Sequence, residues 1–130
     1  MLIRVFYISE IADSVTDVDV QVILGAAQIN NRRLDVTGML AQSDGHFAQL
    51  LEGRLEVVLN MVAKIRKDPR HRALRILLEE TIVTRQFSHW AMGLMRRDDM
   101  SDAMRALHRD GCASKAEARR LVQVLMSREV

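Results

Sequence analysis

The sequence predicts an α+β domain, in which helices pack on a β-sheet, and three observations indicate this class. Segments rich in β-branched and aromatic residues alternate with segments whose apolar residues recur at helical spacing. Two neighbouring strand-like runs flank a short loop that ends in glycine, which is typical of a β-hairpin. The C-terminal part of the chain then carries two further helical patterns and no strand-like run.

The first strand is predicted over residues 2–9, where β-forming residues dominate. Ile3, Val5 and Tyr7 alternate on one side of this strand, and the residues on its other side are also largely apolar. Because both sides are apolar, this strand is expected in the centre of the sheet.

The first helix is predicted over residues 17–31. Val18, Val22 and Ala26 lie four residues apart, and Ile23 and Ala27 widen this apolar stripe. A Thr–Asp pair stands at its start and can cap the N-terminus, where free backbone amides need acceptors. Two consecutive asparagines suit its end, because Asn tolerates left-handed backbone geometry. We therefore expect this stripe to face the sheet.

A β-hairpin is predicted next, with strands over residues 36–42 and 46–52 around a loop of Ser, Asp and Gly. A second amphipathic helix follows and is expected to end near Asp68, because Pro69 cannot continue a helix. Its buried side is predicted to consist of Leu55, Val58, Leu59, Val62 and Ile65.

A fourth strand is predicted over residues 74–83, where Leu74, Ile76 and Leu78 are expected to share one face because side chains alternate along a strand. A short fifth strand is expected at residues 91–95, after a turn.

Two helices over residues 102–109 and 116–126, divided at Gly111, are predicted to complete the chain. The preceding order of strand, helix, hairpin, helix and strand is that of ferredoxin-like folds, in which both helices cover one face of the sheet. Because this fold hosts many activities, it does not by itself indicate a function.

Length, composition and charge restrict the classes of protein that this sequence can represent. With 130 residues, of which 48% are hydrophobic and 28% charged, the chain fits one globular domain. Its net charge is only +2 and its basic residues are interleaved with acidic ones, so nucleic acid is not an expected partner. The sequence shows no signal peptide and no apolar run of about 20 residues, which favours a cytoplasmic protein that does not bind membranes. The single Cys112 cannot form an internal disulfide, and no metal site is expected.

Polar residues interrupt the apolar pattern at three places and indicate a binding site. Gln49 alternates with Phe47 and Leu51, so its amide points toward an apolar face, where an unpaired amide would cost about 1–3 kcal/mol. Tyr7 raises the same question on the first strand, which neighbours the third strand in a ferredoxin-like sheet. Each residue taken alone is more often an ordinary core residue with a local partner. Together with the asparagines at 30 and 31, they favour a planar ligand with donors and acceptors between the two helices.

Six short segments in a fixed order carry a resemblance to a known family. They are residues 5–9 (VFYIS), 30–32 (NNR), 36–40 (VTGML), 47–53 (FAQLLEG), 68–71 (DPRH) and 85–92 (RQFSHWAM). Any one of them is a weak signal, but the ordered set, which covers residues 1–96, is highly specific. Together they resemble the BLUF family, which senses blue light with a bound flavin.

The resemblance implies a flavin held between the two helices without a covalent bond, with FAD as the expected form and FMN as the alternative. Tyr7 matches the light-active tyrosine of the family and Gln49 its switching glutamine, while Trp90 and Met92 match a pair that relays the signal. Lys64 stands where a well-known member has arginine, which keeps the charge but loses a planar, two-pronged contact. The residues that the resemblance implies for cofactor binding are Asn30, Asn31, Gln49, Ile23, Lys64, Ile65, Asp68, Arg70 and His71.

The implied function is that of a blue-light photoreceptor and not of an enzyme, so no catalytic residue is expected. Light would move an electron and a proton from Tyr7 through Gln49, and the rearranged amide would signal through the fifth strand and the terminal helices to a separate effector protein. Residues 1–97 would then form the flavin-binding photosensor domain and residues 98–130 a C-terminal helical extension of the same unit. A homo-oligomer is also expected.

Three alternatives stay open at the level of the sequence. One is a flavin-binding or protein-interaction module that does not respond to light, although Tyr7 and Gln49 argue against it. A second is a small ferredoxin-like phosphohydrolase, but the chain shows neither a Gly-rich anion loop nor a convincing nucleophile–base pair. The third is an RNA-binding domain, which needs exposed aromatic residues on its sheet, and the chain has only five Phe, Tyr and Trp residues.

Overall fold

The computed structural model describes residues 1–88 and 92–126, which form a five-stranded sheet between two pairs of helices. The elements are β1 (Leu2–Ile11), α1 (Asp17–Leu34), β2 (Thr37–Gln42), β3 (His46–Arg54), α2 (Leu55–Lys67), β4 (His71–Ile82), β5 (Gly93–Arg96), a 3₁₀ turn (Asp98–Met100), α3 (Ser101–Asp110) and α4 (Lys115–Met126). The predicted α+β class is therefore confirmed.

The sheet has the strand order β4-β1-β3-β2-β5, so β1 lies between β3 and β4 and is antiparallel to both. The first four strands follow the ferredoxin-like order, and β5 extends the sheet by pairing in parallel with β2. The expected contact between the first and third strands is confirmed, and its register sets Tyr7 directly opposite Gln49. The two polar residues therefore meet on neighbouring central strands, where opposed side chains touch.

Each face of the sheet carries its own hydrophobic core. On one face, Ile3, Val5 and Tyr7 of β1 pack with α1 and α2. On the other face, Phe6 and Ile8 of β1 pack with α3 and α4. This arrangement confirms that β1 is a central strand and explains why both of its sides are apolar. The terminal helices thus complete the second core of the sheet.

The face of α1 that packs on the sheet differs from the predicted one. Val18 and Val22 are 72% and 62% exposed, whereas Val20 and Leu24 are buried in the core. The helix carries apolar residues on two sides, so its periodicity alone did not distinguish the stripe that contacts the sheet. The prediction was therefore wrong for Val18 and Val22, whereas Ala27 of the same stripe packs against the core.

The two ends of α1 were only partly predicted. At the start, the Thr16 hydroxyl accepts a hydrogen bond from the backbone N–H of Asp19, and the Asp19 carboxylate accepts one from the backbone N–H of Thr16. At the other end the helix continues past residue 31 to Leu34, and the residue that caps it, Asp35, adopts the left-handed conformation with φ 55°. Asn31 consequently lies within the last turns of the helix, where it is buried.

The pairing of β4 with β1 contains a bulge, which overturns the predicted alternation of β4. The register shifts by one residue at Leu77, so the residues on either side of it change face. Leu74 accordingly packs with α1 and α2, Leu78 packs with α3 and α4, and Ile76 is 38% exposed. The three residues do not share a face.

The remaining helices lie close to their predicted positions. α2 ends at Lys67, immediately before Asp68, and its residues Val58 and Val62 are buried. Leu59 is 39% exposed, because only a narrow stripe of α2 contacts the sheet, so its predicted burial was wrong. The bounds of α3 and α4 agree with the prediction to within one residue. Among the described helices, none combines the length and apolar character that crossing a membrane requires.

Candidate functional site

A cavity of about 280 Å³ lies between α1, α2 and the central strands. Its apolar lining consists of Ile23, Leu24, Ala26, Ala27, Leu40, Phe47, Met61, Ile65 and Met92. Its polar lining consists of Asn30, Asn31, Gln49, Asp68, Arg70 and His71. A largely apolar cleft with a few convergent polar groups is the usual form of a small-molecule site.

Gln49, which lines this cavity, forms a hydrogen-bonded pair with Tyr7, which lies beside it. Tyr7 is fully buried, and its hydroxyl donates a hydrogen bond to Oε1 of Gln49. Burial raises the pKa of the Tyr7 hydroxyl far above its usual range, and the negative charge of Asp68 adds to this effect. The phenol is therefore neutral and protonated at physiological pH.

The amide of Gln49 connects Tyr7 with Met92. Its Nε2 lies 3.5 Å from Sδ of Met92 and donates to that sulfur, while its Oε1 accepts from Tyr7. A primary amide carries a donor group and an acceptor group on the same carbon, so a rotation exchanges the two. Such a rotation would make Gln49 donate to the Tyr7 hydroxyl and would break its hydrogen bond to Met92, because a thioether sulfur can only accept.

Asp68 and Arg70 form an ion pair at the polar side of the cavity. The guanidinium donates from Nε to Oδ1 at 3.0 Å and from Nη2 to Oδ2 at 2.6 Å, and the backbone N–H of Arg70 also donates to Oδ1. The hydrogen bond from the Arg70 side chain lowers the pKa of Asp68 to about 2, against the opposing effect of burial. The carboxylate is thus ionised. The backbone N–H of His71 donates to the carbonyl of Asp68 at 3.1 Å, and this tight turn fixes the position of the charge.

His71 is the first residue of β4 and lies beside Phe47, an aromatic residue that lines the cavity. Its Nδ1 is 3.0 Å from the Ser9 hydroxyl, and its ring centroid is 5.2 Å from that of Phe47. Burial lowers the pKa of His71 and outweighs the opposite effect of Asp68, so the ring is neutral at neutral pH. It offers a hydrogen-bonding group without a charge.

α1 supplies amide side chains to the cavity and to the backbone of Met92. Asn31 is 2% exposed, whereas Asn30 is exposed and accepts a hydrogen bond at Oδ1 from Nη2 of Arg33 at 2.6 Å. Gln28 donates from Nε2 to the backbone carbonyl of Met92 at 3.1 Å. Through Gln28, α1 fixes the backbone of Met92 next to Gln49.

The structure brings most of the predicted site residues together, with two exceptions. Lys64 lies on the exposed side of α2 and does not line the cavity, because the stripe of α2 that faces inward runs through Met61 and Ile65. Trp90 lies outside the described residues. The predicted residues that do line the cavity are Ile23, Asn30, Asn31, Gln49, Ile65, Asp68, Arg70, His71 and Met92.

Sequence reasoning missed several residues of the site. Met61 precedes Ile65 by four residues on α2, and Phe47 precedes Gln49 by two on β3, so helical and strand periodicity could have placed both. Ala26 and Ala27 line the cavity as residues too small to fill it, a role that hydrophobic patterning does not reveal. Gln28 had no distinguishing signal, because its partner is a backbone carbonyl remote in sequence.

Comparison with known proteins assigns the chain to a family. A family model described as BLUF, sensors of blue-light using FAD, matches residues 2–93. The chain belongs to the BLUF family. Residues 2–93 thus carry a domain of a family that is described by its blue-light sensing and its flavin.

Individual BLUF relatives agree with this assignment. The chain is 33% identical over 113 residues to the blue light- and temperature-regulated antirepressor BluF of Escherichia coli, which covers 85% of this chain and 28% of that protein. It is 38% identical over 65 residues to the photoactivated adenylate cyclase subunit beta of Euglena longa, which covers 50% of this chain and 8% of that protein. The chain thus spans only a small part of these relatives.

A solved BLUF structure has the same fold. The dark-state structure of BlrB, a BLUF protein, has a TM-score of 0.77 and 28% sequence identity to this chain, and the match covers 95% of this chain and 96% of BlrB. The ferredoxin-like fold with terminal helices is therefore confirmed over almost the whole length of both chains.

The cavity fits the flavin that BLUF domains bind. A flavin ring is planar, with two broad apolar faces and one edge that carries alternating hydrogen-bond donors and acceptors. Ile23 of α1 and Ile65 of α2 offer apolar contacts, and the amides of Asn31 and Gln49 carry both donors and acceptors. The apolar residues of the cavity therefore match the faces of the ring, and its amides match the polar edge.

Proposed function

We propose that this chain is a cytoplasmic blue-light photoreceptor that binds FAD non-covalently in the cavity between α1 and α2. The observation that supports this most directly is the hydrogen-bonded series from Tyr7 through Gln49 to Met92 along the cavity. In this proposal Ile23 and Ile65 pack on the ring, Asn30 and Asn31 meet its polar edge, and the remaining polar groups bind the more distant parts of the cofactor. Those groups are Asp68, Arg70 and His71.

When bound, the flavin supplies blue-light absorption and, once excited, a strong one-electron oxidant. Tyr7 is the electron donor in our proposal, because it is an oxidisable phenol buried beside the cavity. A buried site disfavours net charge, so loss of an electron from Tyr7 is coupled to loss of its proton. In our proposal the proton passes to Oε1 of Gln49, and the hydrogen bond that this oxygen accepts from the Tyr7 hydroxyl supports this role.

Gln49 then changes its hydrogen bonds. In our proposal the electron and the proton would return to Tyr7, so that no net oxidation remains and the lasting change is confined to Gln49. That change would be either a net shift of one hydrogen from Nε2 to Oε1, which gives the imidic tautomer, or a rotation about the side chain, which exchanges the two ends of the amide. Either change alters the contact of Nε2 with Sδ of Met92, which is 3.5 Å in this structure. The switch is therefore a change in the donor and acceptor pattern at one buried residue.

The signal leaves the cavity through β5. Met92 immediately precedes β5, and β5 is followed by Arg97, whose side chain is buried. Nη1 of Arg97 donates to the carbonyl of Val124 at 2.9 Å and lies 3.5 Å from that of Leu125, in the last turn of α4. A displacement of Met92 can thus reach α4 through one strand and one side chain. We infer that α3 and α4 present this change to a separate effector protein or to a second copy of the chain.

The test is the visible absorption spectrum of the purified flavin-loaded protein, recorded before and after blue light and during dark recovery. Wild-type protein is expected to show a small, reversible red shift, because the altered amide forms a new hydrogen bond to the cofactor. Tyr7→Phe should retain the flavin and lose the shift, and Tyr7 is the only tyrosine of the chain. Ser101→Ala, which removes a hydroxyl outside the cavity, serves as the control and should shift like the wild type.

Three outcomes would contradict parts of the proposal. A Tyr7→Phe variant that shifts like the wild type would remove Tyr7 from the mechanism, and Gln49→Leu with an unaltered photocycle would do the same for Gln49. A yellow wild-type protein that ignores light would identify a light-inert flavin-binding module.

Chromatography of the released cofactor distinguishes FAD from FMN, and light scattering in darkness and under light tests the expected homo-oligomer.

A further inference from the structure

A second group of chemically reactive side chains lies on the opposite face of the sheet from the cavity. Glu10 at the end of β1 and His46 at the start of β3 are register partners, and His108 of α3 lies above them. One donor atom from each of the three residues lies within 4.8 Å of the other two. The rings of His46 and His108 are 5.3 Å apart between centroids.

The hydrogen bonds of His108 define which of its nitrogens is available. Nε2 lies 2.6 Å from the backbone carbonyl of Ala73, which can only accept, so Nε2 carries the hydrogen. In the neutral ring Nδ1 then has a free lone pair, and this atom lies 3.8 Å from Oε1 of Glu10. Metal-binding histidines commonly donate their second N–H to a backbone carbonyl in this way, which orients the ring.

His46 adds a buried imidazole nitrogen that needs a partner. The residue is 7% exposed, and its Nδ1 is buried without a hydrogen-bond partner among the described residues. A buried polar atom of this kind is costly unless a donor or a cation satisfies it. A carboxylate oxygen and one imidazole nitrogen from each histidine thus lie within 4.8 Å of one another.

We propose that Glu10, His46 and His108 form a binding site for a divalent transition metal, with Zn²⁺ as the best match. Two imidazoles and one carboxylate are a common protein ligand set for tetrahedral zinc, with a water molecule in the fourth position. Bonds of roughly 2.0–2.1 Å would bring the ligand atoms to about 3.3 Å from one another, so small side-chain rotations suffice to close the site. Imidazole ligands disfavour Mg²⁺ and Ca²⁺, which prefer oxygen.

Such a metal would connect the sheet to the terminal helices. Glu10 follows Tyr7 by three residues and His46 precedes Gln49 by three, while His108 belongs to α3. The metal would therefore join β1, β3 and α3 through side chains. Because the site binds only the folded arrangement, metal is expected to stabilise the protein by mass action, independently of light.

The test is metal binding by untagged, chelator-treated protein carrying its flavin. We expect titration calorimetry to show one Zn²⁺ per chain, and Co²⁺ to give the visible bands of a tetrahedral complex at wavelengths longer than the flavin absorption. Glu10→Gln and His108→Gln should each weaken binding by at least about tenfold and abolish the rise of Tm with Zn²⁺. His46→Gln should do the same, and its unchanged flavin spectrum would confirm that the buried site still folds.

Two controls separate this site from adventitious binding. Cys112→Ser removes the only thiol of the chain and Glu56→Gln removes an exposed carboxylate of α2, and both should bind Zn²⁺ like the wild type. Absence of stoichiometric binding by the wild type overturns the proposal. So does binding that survives in the His46→Gln/His108→Gln double variant, or binding that Cys112→Ser abolishes.

Discussion

Replacing Glu52 by Gln should destabilise the folded protein by about 3 kcal/mol, because Glu52 is a fully buried carboxylate with a complete set of donors. Its Oε2 accepts from Nε of Arg4 at 2.9 Å and lies 2.8 Å from Nη2 of the same guanidinium. Its Oε1 accepts from the backbone N–H groups of Gln86 at 2.9 Å and Phe87 at 2.8 Å. One side chain thus joins β1, β3 and the segment that leads toward β5.

The magnitude follows from what Gln can replace. The remaining oxygen can accept from the two backbone amides, but the new NH₂ group faces the donors of Arg4. Each hydrogen bond to a charged group is worth about 1.5–3 kcal/mol, and two are lost. Arg4 keeps its ion pair with Glu80 at 3.0 Å, which favours the lower end of the range. A chain of 130 residues typically has roughly 6–20 kcal/mol of stability, so the variant should still fold.

Equilibrium urea denaturation at a fixed flavin concentration measures this loss. A double-mutant cycle with Arg4→Met should give a coupling energy of at least about 1.5 kcal/mol, because the two side chains share one interaction. Glu56→Gln, on the exposed side of α2, is the matched control and should leave the midpoint unchanged. A loss below about 1 kcal/mol without coupling would show that the Glu52–Arg4 pair does not stabilise the fold as its burial indicates.

Two further predictions concern the backbone at two glycine positions and the protonation of His71. Gly38→Ala should destabilise the fold by about 3 kcal/mol, because the new Cβ would collide with the backbone oxygen of Leu50. Gly25→Ala should stabilise it by roughly 0.5–1 kcal/mol, because the space around Gly25 is open and Ala favours a helix. Similar urea midpoints for the two variants would contradict this. Burial lowers the folded-state pKa of His71, so below about pH 6.5 the unfolded chain binds more protons than the folded protein. The stability contributed by the buried neutral ring is therefore present above that pH and is lost on acidification. His71→Gln should therefore weaken the fall in unfolding free energy between about pH 7.5 and 5.5, and an unchanged slope would refute the assignment.

Much of the candidate site could be predicted because its residues lie on regular elements. Strand alternation placed Tyr7 and Gln49 on one face, and the ferredoxin-like order made their strands neighbours, so their contact followed. Lys64 shows the limit of that reasoning. Its position in the family pattern indicated the cavity, but rotation about the axis of α2 turns it outward.

Other features depended on contacts that no local pattern contains. The bulge at Leu77 arises where β4 pairs with β1, and it moves Leu74 and Leu78 to opposite cores. Glu10, His46 and His108 have no motif-like spacing, and the sequence predicted no metal site. They meet because two strands pair in one register and a helix from the end of the chain packs over them.

The sequence by itself determined the order of the elements, the central position of β1 and the membership of Tyr7 and Gln49 in BLUF motifs, because side-chain periodicity and short motifs are local properties of the chain. Only the tertiary structure decided which side of α1 is buried, since Val20 and Leu24 compete with Val18 and Val22 for the same sheet. That choice depends on the sum of buried area over all contacting elements, which is a property of the packed fold and not of any one segment.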